Sequence, residues 1–367
     1  MLIKYYSGTT VEHEMLGNVL RSYYGDDSKT RDLLSLFAMN SLLGYSGVIN
    51  RQQDMVYKFQ TTSLPEPETH DLTFDECCLR RGQEIWRMAQ DRPVIVFWSG
   101  GIDSTVVLTA LIATNDDWTK KLIIYTSEHA TKYEYPWFWD RYLKKLPSRI
   151  LINQDFNNPE IYQPDAIVLS GHCGDQLWGI NWLRFIHDAD SAHWSDFMSH
   201  DHFLQRIPLQ LRNILIEYIK RQIEIFPRPI NTIKDLIWML NFTHAWDYVR
   251  LRPMVRLSDL SLLDRMIHFY DNWDFQTWAM NNPQSRIWTE WREYKQTAKD
   301  FIYRLTKDDH YRRHKCKELS LRYCCDEPSL EPYWTLITDH GARSRHDPAN
   351  HIAGHLWLPN HAVSSTE

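Results

Sequence analysis

The sequence predicts an α/β protein built on a doubly wound parallel sheet, with a helical C-terminal part and a small N-terminal domain. Three short apolar segments, typical of buried strands, carry this prediction: 94–98, 122–126 and 166–170. Helix-like stretches separate them, and this alternation is typical of βαβ units. The first and third segments each run into a glycine-containing turn. Ligands of such sheets bind beyond the carboxyl ends of the strands, so both turns are candidate sites.

Composition narrows the class of protein. Of the 367 residues, 43% are hydrophobic and 24% are charged, which favours a compact folded chain. The net charge of -6 gives no electrostatic signature of a dedicated nucleic-acid binder, although it leaves room for a local basic groove. The sequence has no run of 18 apolar residues and no signal pattern in its first twenty residues, so we expect a cytoplasmic protein without a membrane partner.

Three regions are expected along the chain. Residues 1–70 form the small N-terminal domain, with helices at 11–24 and 30–43, a strand at 55–59 and a linker at 63–68. Residues 71–320 form the main domain, which opens with a helix at 73–89 capped by Thr73. Its sheet extends to about residue 190, with a helix at 135–146 and a short strand at 149–152. Helices follow at 203–226, 233–246, 257–270 and 288–305, and a tail occupies 321–367.

The first turn reads Ser-Gly-Gly-Ile-Asp-Ser-Thr over residues 99–105. Gly100 and Gly101 allow the backbone to approach an anion closely, while amides at the start of the following helix point at it. Hydroxyl donors come from Ser99, Ser104 and Thr105. No lysine lies in or beside the turn, so the lysine-containing phosphate loop of kinases and GTPases is excluded. The alternative is a turn that only packs a helix on a sheet.

Acidic and hydroxyl side chains at the predicted sheet edge extend this site. Asp103 places a carboxylate among phosphate donors, which is explained if it holds a Mg²⁺ that offsets the charge of a triphosphate. Asp175 lies in the second turn, Ser-Gly-His-Cys-Gly-Asp-Gln over 170–176, where it either shares that Mg²⁺ or caps a structural turn. Thr126 and Ser127 follow the middle strand, and they either face the nucleotide or merely end the strand.

Both turns resemble motifs of one family. The first is similar to the pyrophosphate loop of ATP pyrophosphatases, which cleave ATP between the α and β phosphates. The second, from Ser170 to Gly179, resembles the Ser-Gly-Glu-Gly-x-Asp-Glu-Leu-Phe-Gly-Gly motif of the asparagine synthetase family, and looser similarity extends the match over about residues 73–318. The resemblance implies an AMP-forming ligase that uses ATP and Mg²⁺. It implies Asp103 and Asp175 as metal ligands and Gly171 in the nucleotide site.

The same resemblance implies catalytic residues. A cation must reach the departing pyrophosphate, and the family's Arg-x-Lys segment assigns this to Lys315, with Arg313 nearby and Lys295 as a second candidate. From the residues alone, the basic cluster is typical of a solvated charged face; it comprises Arg312, Arg313, Lys315 and Lys317. His172 stands where the motif has its first Glu, so it is either the general base for the attacking amine or an orienting contact.

The partners follow from the same comparison. Glutamine-dependent synthetases have a Cys immediately after the initiator Met, whereas this chain has Leu2. We therefore expect the nitrogen to come from ammonia, from an amine or from a separate amidotransferase, with a small-molecule or peptide carboxylate as acceptor and a possible homo-oligomer. Two other functions remain open: adenylation of a nucleobase or of a tRNA or nucleotide oxygen, and nucleotide binding without catalysis.

Overall fold

A computed structural model of the chain describes thirteen ranges of residues. They are 5–6, 28–43, 48–56, 61–66, 71–150, 165–179, 191–199, 207, 209–251, 266–286, 288–317, 334–338 and 341–345. The predicted helix at 11–24 and most of the predicted strand at 55–59 lie outside them.

The described elements alternate between strands and helices through the middle of the chain. The strands are β1 (Tyr5–Tyr6), β2 (Val94–Trp98), β3 (Leu122–Thr126), β4 (Ser148–Ile150), β5 (Ile167–Ser170), β6 (Met266–His268), β7 (Trp334–Thr338) and β8 (Gly341–Arg345). The α-helices are α1 (Ser28–Leu43), α2 (Phe74–Ala89), α3 (Ile102–Ala113), α4 (Trp118–Lys121), α5 (Pro136–Phe138), α6 (Gly174–Trp178), α7 (Leu209–Ile225), α8 (Ile233–His244), α9 (Trp246–Leu251), α10 (Trp273–Asn281), α11 (Gln296–Thr306) and α12 (Asp309–His314).

Short turns of other helical types complete these elements. Two π-helical turns, Ala130–Glu134 and Trp139–Leu143, flank α5, and 3₁₀ turns lie at Trp194–Ser199, Pro283–Arg286 and Trp291–Glu293. Helical structure therefore occupies most of the stretch predicted as a helix at 135–146.

The chain divides into two compact units. One comprises Met1–Leu64, Phe185–Arg252 and Ser329–Glu367, and the other comprises Pro65–Arg184 and Pro253–Pro328. The linear division into 1–70, 71–320 and 321–367 differs from this, because residues 185–252 belong with the N-terminal segment. Backbone hydrogen bonds account for that grouping: the amide of Ile49 donates to the carbonyl of His244, and Arg51 donates to Thr243, both at 3.0 Å.

The second unit contains a five-stranded parallel sheet in the order β4-β3-β2-β5-β6. This confirms the α/β class and is compatible with a doubly wound fold. Strand β2 lies between β3 and β5, so the direction in which the chain adds strands reverses there. Such a reversal opens a crevice beyond the carboxyl ends of the two central strands. The two glycine turns follow β2 and β5, and they therefore lie at this crevice.

The first unit contains the other sheet and a group of helices. Strands β7 and β8 form an antiparallel hairpin, and β1 pairs with β7. The predicted tail therefore contains a hairpin over the residues that the structure describes.

Among all the residues that the structure describes, no helix combines the length and the apolar character needed to cross a membrane.

Helix α2 packs against the end of the second glycine turn, and it begins where the sequence predicts. The Thr73 hydroxyl accepts a hydrogen bond from the Glu76 amide at 3.3 Å, and the Glu76 carboxylate accepts one from the Thr73 amide at 2.8 Å. This reciprocal pair is a capping box. Phe74, in the first turn, packs against Trp178 at 5.2 Å and Trp278 at 5.0 Å between ring centroids. The helix is thereby fixed to the end of the second glycine turn.

Three predicted elements differ in the structure. The helix predicted at 288–305 begins only at Gln296. The helix expected at 257–270 is wrong over Met266–His268, which forms β6 and pairs in parallel with β5. The predicted strand at 55–59 is wrong at its described start, where the chain bends at Met55 and Val56. The amide of Val56 donates to the Asp32 carboxylate at 2.5 Å, so a side chain satisfies it instead of a neighbouring strand.

Candidate active site

The first turn begins where β2 ends, and Gly100 shapes it. Gly100 has φ +74°, a conformation that residues with a Cβ rarely adopt. A Cβ at this position would also lie 2.5 Å from the Cβ of Glu134. Two features therefore require glycine at position 100: its backbone conformation and the close packing of Glu134.

The predicted hydroxyl donors mainly hold the turn in shape. The amide of Ser99 donates to the Ser104 hydroxyl at 3.2 Å, and the Thr105 hydroxyl donates to the Gly101 carbonyl at 2.8 Å. Thr105 also accepts from the indole N–H of Trp98 at 3.1 Å and is fully buried. Helix α3 begins at Ile102, so these side chains lie in or next to its first turn.

The second turn packs directly on the first. A Cβ on Gly171 would lie 3.0 Å from the backbone of Ser104, and one on Gly174 would lie 2.5 Å from a carboxylate oxygen of Asp103. Between these glycines, Cys173 has φ 71° in the left-handed region and precedes α6. The close approach explains why residues without side chains stand at both positions.

Asp103 and Asp175 meet at one lysine. The Lys295 ammonium donates to both oxygens of Asp103, at 2.5 and 2.6 Å, and to Asp175 at 2.6 Å. Lys317 donates to both oxygens of Asp175 at 2.5 Å. The predicted meeting of the two carboxylates is thus present, with two lysines as their partners.

Electrostatics favour the charged forms of Asp175 and Lys295. Burial alone would disfavour the charged form of Asp175, but the attraction of Lys295 and Lys317 outweighs it and holds the pKa of the carboxyl well below its usual range. Burial alone would lower the pKa of Lys295, but the attraction of Asp103 and Asp175 outweighs burial and raises this pKa. The Lys295 side chain has no exposed surface, so protein groups rather than water surround its charge.

The donor set fits a magnesium ion bound together with phosphates. Asp103 and Asp175 supply carboxylate oxygens, which Mg²⁺ prefers as ligands. The two carboxylates are close enough that one ammonium group contacts both. Within the described ranges, no three His, Cys, Asp or Glu side chains converge to hold a metal. A Mg²⁺ at this pair would therefore take its other ligands from phosphate oxygens and water.

His172 lies in a small polar cluster at the end of β5. Its ring stacks on that of His268 with 5.7 Å between centroids, and its amide donates to the Ser170 hydroxyl at 3.3 Å. The same hydroxyl lies 2.7 Å from Nδ1 of His268. Strands β5 and β6 pair at Ser170 and His268, so the sheet itself places this cluster beside the second turn.

Lys315 and Arg313 have different surroundings. The Lys315 ammonium forms an ion pair with Glu134, and the two side chains are 10% and 1% exposed. Because Glu134 contacts Gly100, Lys315 lies near the first turn, as the family resemblance implies. Arg313 is 68% exposed and pairs with Asp309 on its own helix at 2.7 Å. Lys315 therefore fits the predicted site better than Arg313 does.

Thr126 and Ser127 are buried at the end of β3. The Ser127 hydroxyl accepts from the Ala130 amide at 3.1 Å and thereby supports the π-helical turn. The hydroxyl of Thr126 is buried without a hydrogen-bond partner among the residues described. Ser127 thus has a structural contact, whereas none of the described residues bonds to the Thr126 hydroxyl.

Three further residues contribute to the site. Lys317 belongs to the basic cluster without a feature that distinguishes it there, and Glu134 belongs to no motif. The hydroxyl of Tyr270 donates to the Asp103 carbonyl at 3.1 Å, which fixes the start of α3. A usable signal for Glu134 was its place shortly after β3, at the edge of the sheet where ligands bind.

Comparison with known proteins adds no assignment. No protein-family model matches the chain. Searches of curated proteins and of solved structures also find no match. The resemblance to the asparagine synthetase family therefore depends on the two turns and the looser segments after them.

Proposed function

We propose that this chain is an ATP-dependent ligase that transfers AMP to a substrate carboxylate with release of pyrophosphate. Ammonia or an amine then attacks the acyl adenylate, which forms the amide and releases AMP. One observation carries the proposal. The glycine turns after β2 and β5 pack on each other at the crevice of a parallel sheet, and Asp103 and Asp175 reach the same ammonium group. Their order and spacing resemble those of a family that performs this reaction.

Each part of the site has a role in this reaction. The turn at 99–101 and the first amides of α3 would bind the β and γ phosphates, since a helix N-terminus favours anions. Mg²⁺, held by Asp103 and Asp175, would offset the charge of the triphosphate. Lys315 would stabilise the negative charge that develops on the departing pyrophosphate.

His172 would act in the second half of the reaction. An attacking amine must lose a proton, and an imidazole titrates in the range that suits this transfer. His268 and Ser170 hold the His172 side of the turn in position. Amide formation would therefore depend on His172 more than ATP binding does.

The deciding experiment is an assay that separates AMP plus pyrophosphate from ADP plus phosphate. Purified protein is incubated with Mg-ATP and pools of carboxylates, amines and RNA. We expect AMP and pyrophosphate with a carboxylate and an amine together. Formation of ADP alone would contradict the mechanism. Transfer of AMP to RNA would favour the nucleotide-modification alternative, and tight ATP binding without turnover would favour a binding protein.

Asp103→Asn tests the metal ligand. The substitution keeps the shape of the side chain but removes the charge that holds the metal, so we expect Mg-dependent ATP binding to weaken by about 100-fold or more. Asp140→Asn is the matched control, because Asp140 is 62% exposed and pairs with Lys144 on the surface. Equal binding by both variants, measured by calorimetry, would show that Asp103 does not bind the metal.

His172→Ala tests the second step. We expect ATP binding close to that of the wild type and amide formation reduced by about 100-fold, the usual contribution of a general base. The exposed His193→Ala variant controls for loss of a histidine. An unchanged rate of amide formation would assign His172 an orienting role.

A further inference from the structure

The π-helical turn Ala130–Glu134 lies directly against the first glycine turn. A Cβ on Gly100 would lie 2.5 Å from the Cβ of Glu134 and 3.3 Å from the carbonyl oxygen of Ala130. The Ser127 hydroxyl accepts a hydrogen bond from the Ala130 amide at 3.1 Å, and the Tyr135 amide donates to the Ala130 carbonyl at 3.2 Å. Glu134 is therefore a fixed part of the surface on which the candidate phosphate-binding turn is built.

The Glu134 carboxylate is buried, and its cation is Lys315. Only 1% of the Glu134 side chain and 10% of the Lys315 side chain are exposed. His129 contributes a weaker contact, with Nε2 at 3.5 Å from the other carboxylate oxygen. A buried carboxylate is costly without a cation, so this pair is strongly constrained.

A second contact holds the same two segments together. Tyr135, next to Glu134, stacks on Tyr311 with 3.9 Å between ring centroids. Its hydroxyl donates to Asp308, which caps α12. The Lys315 amide donates to the Tyr311 carbonyl at 3.0 Å. The consecutive residues Glu134 and Tyr135 therefore contact two positions that are one helical turn apart, Lys315 and Tyr311.

This arrangement places a buried negative charge beneath a turn that is suited to anions. An anion bound at Gly100 would be repelled by Glu134 unless a cation stood between or beside them. Lys315 is the cation that the geometry supplies. The effect of losing Lys315 should therefore depend on whether Glu134 is still charged.

We propose that Glu134 is a positioning residue that holds the Lys315 ammonium beside the first turn and makes anion binding there depend on that lysine. The proposal rests on the proposed function, because it concerns the same phosphate site. It predicts that removing both charges does less harm to phosphate binding than removing the lysine alone.

The test is a double-mutant cycle with Glu134→Gln, Lys315→Met and the double variant. Binding of Mg-pyrophosphate and of Mg-ATP is measured by calorimetry. We expect Lys315→Met to weaken pyrophosphate binding by about 100-fold, and the double variant to recover about tenfold of that loss. A double variant that binds no tighter than Lys315→Met would overturn the proposal, as would wild-type affinity in Lys315→Met.

Thermal unfolding of the same variants separates this proposal from the proposed function. Each single substitution leaves one buried charge without its partner, so we expect both to unfold at lower temperature than the double variant. Failure of the single variants to fold, with a folded double variant, would support the pair in the same way. The exposed Lys144 and Asp140 pair supplies the control cycle, for which we expect additive effects.

Two outcomes distinguish failure of the phosphate site from failure of the positioning role alone. Coupling in unfolding without any binding of pyrophosphate or ATP by the wild type would refute the phosphate site and, with it, the positioning role. Binding and turnover by the wild type without coupling between Glu134 and Lys315 would support the proposed function and overturn the positioning role alone.

Discussion

Lys295 is the residue on which the two turns converge. Its ammonium contacts both Asp103 and Asp175, and it also lies 5.4 Å from the centroid of the Trp178 ring. Lys295 itself has left-handed backbone angles, φ 58° and ψ 33°, just before α11. This conformation is uncommon for a residue with a Cβ and carries some backbone strain.

Replacing Lys295 by Met should lower stability and increase the response to Mg²⁺. We expect a loss of about 2 kcal/mol, below the value for a fully buried pair, because Asp103 and Asp175 keep 22% and 31% of their side-chain exposure. The carboxylates, with one competing cation fewer, should bind Mg²⁺ more tightly. Thermal unfolding with and without Mg²⁺ measures both effects.

Lys144→Met is the matched control for that prediction. Lys144 is 65% exposed and forms a surface pair, so its loss should change stability little. If Mg²⁺ raised the unfolding temperature of Lys295→Met no more than that of the wild type, the carboxylate pair would not be a cation site.

At the scale of single residues, the sequence predicted the acidic and glycine positions but not their partners. Asp103 and Asp175 follow strands of one sheet, and topology alone brings such positions together. Lys317 and Glu134 act through contacts between segments that are distant along the chain. Such contacts depend on how helices pack, and no local pattern of residues encodes that.

At the scale of elements, α2 shows what a local signal can determine. Thr73 and Glu76 satisfy each other and the first amides of the helix, so its start could be predicted from four consecutive residues. The opposite case is β6. Met266–His268 has apolar neighbours at helical spacing, yet it forms a strand, because pairing with β5 satisfies its backbone within the sheet. Tertiary pairing outweighed the local pattern there.

Thr73→Ala tests the capping box. We expect a loss of about 1 kcal/mol in the free energy of unfolding, because the Glu76 amide loses its acceptor and the Glu76 side chain loses one of its two partners. Urea denaturation measures this loss. Thr73→Ser retains the hydroxyl and should restore most of the stability. Equal stability of the Ala and Ser variants would show that the hydroxyl does not stabilise the helix.

At the scale of the whole molecule, both units are assembled from separated segments. In the first unit, buried Arg51 donates to the carbonyls of Ser63 at 2.6 Å and of Phe242 at 3.2 Å. Asp54 pairs with Arg221 at 2.7 Å. Composition and linker signals follow the order of the chain, so they predicted a linear division. They carry no information about which separated segments return to one another.

The first unit also contains a buried histidine that should make its stability depend on pH. His244 is fully buried, and burial lowers its pKa from 6.5 to about 4. The hydroxyl of Tyr218 lies 2.8 Å from Nε2, and Nδ1 lies 3.2 Å from the Leu240 carbonyl, which can only accept. These contacts suit a neutral ring with its proton on Nδ1 and Nε2 as acceptor.

The sign of the pH effect follows from the lowered pKa. Above pH 6.5 the ring is neutral in both the folded and the unfolded chain, and its stabilising contribution is fully present. As the pH falls towards 4, only the unfolded chain takes up the proton, so we expect a loss of about 3 kcal/mol from this group. Urea denaturation between pH 8 and about pH 4 measures it. His244→Gln should flatten the pH dependence, whereas the exposed His193→Gln should leave it unchanged. The same slope in the wild type and His244→Gln would assign the pH dependence to other groups.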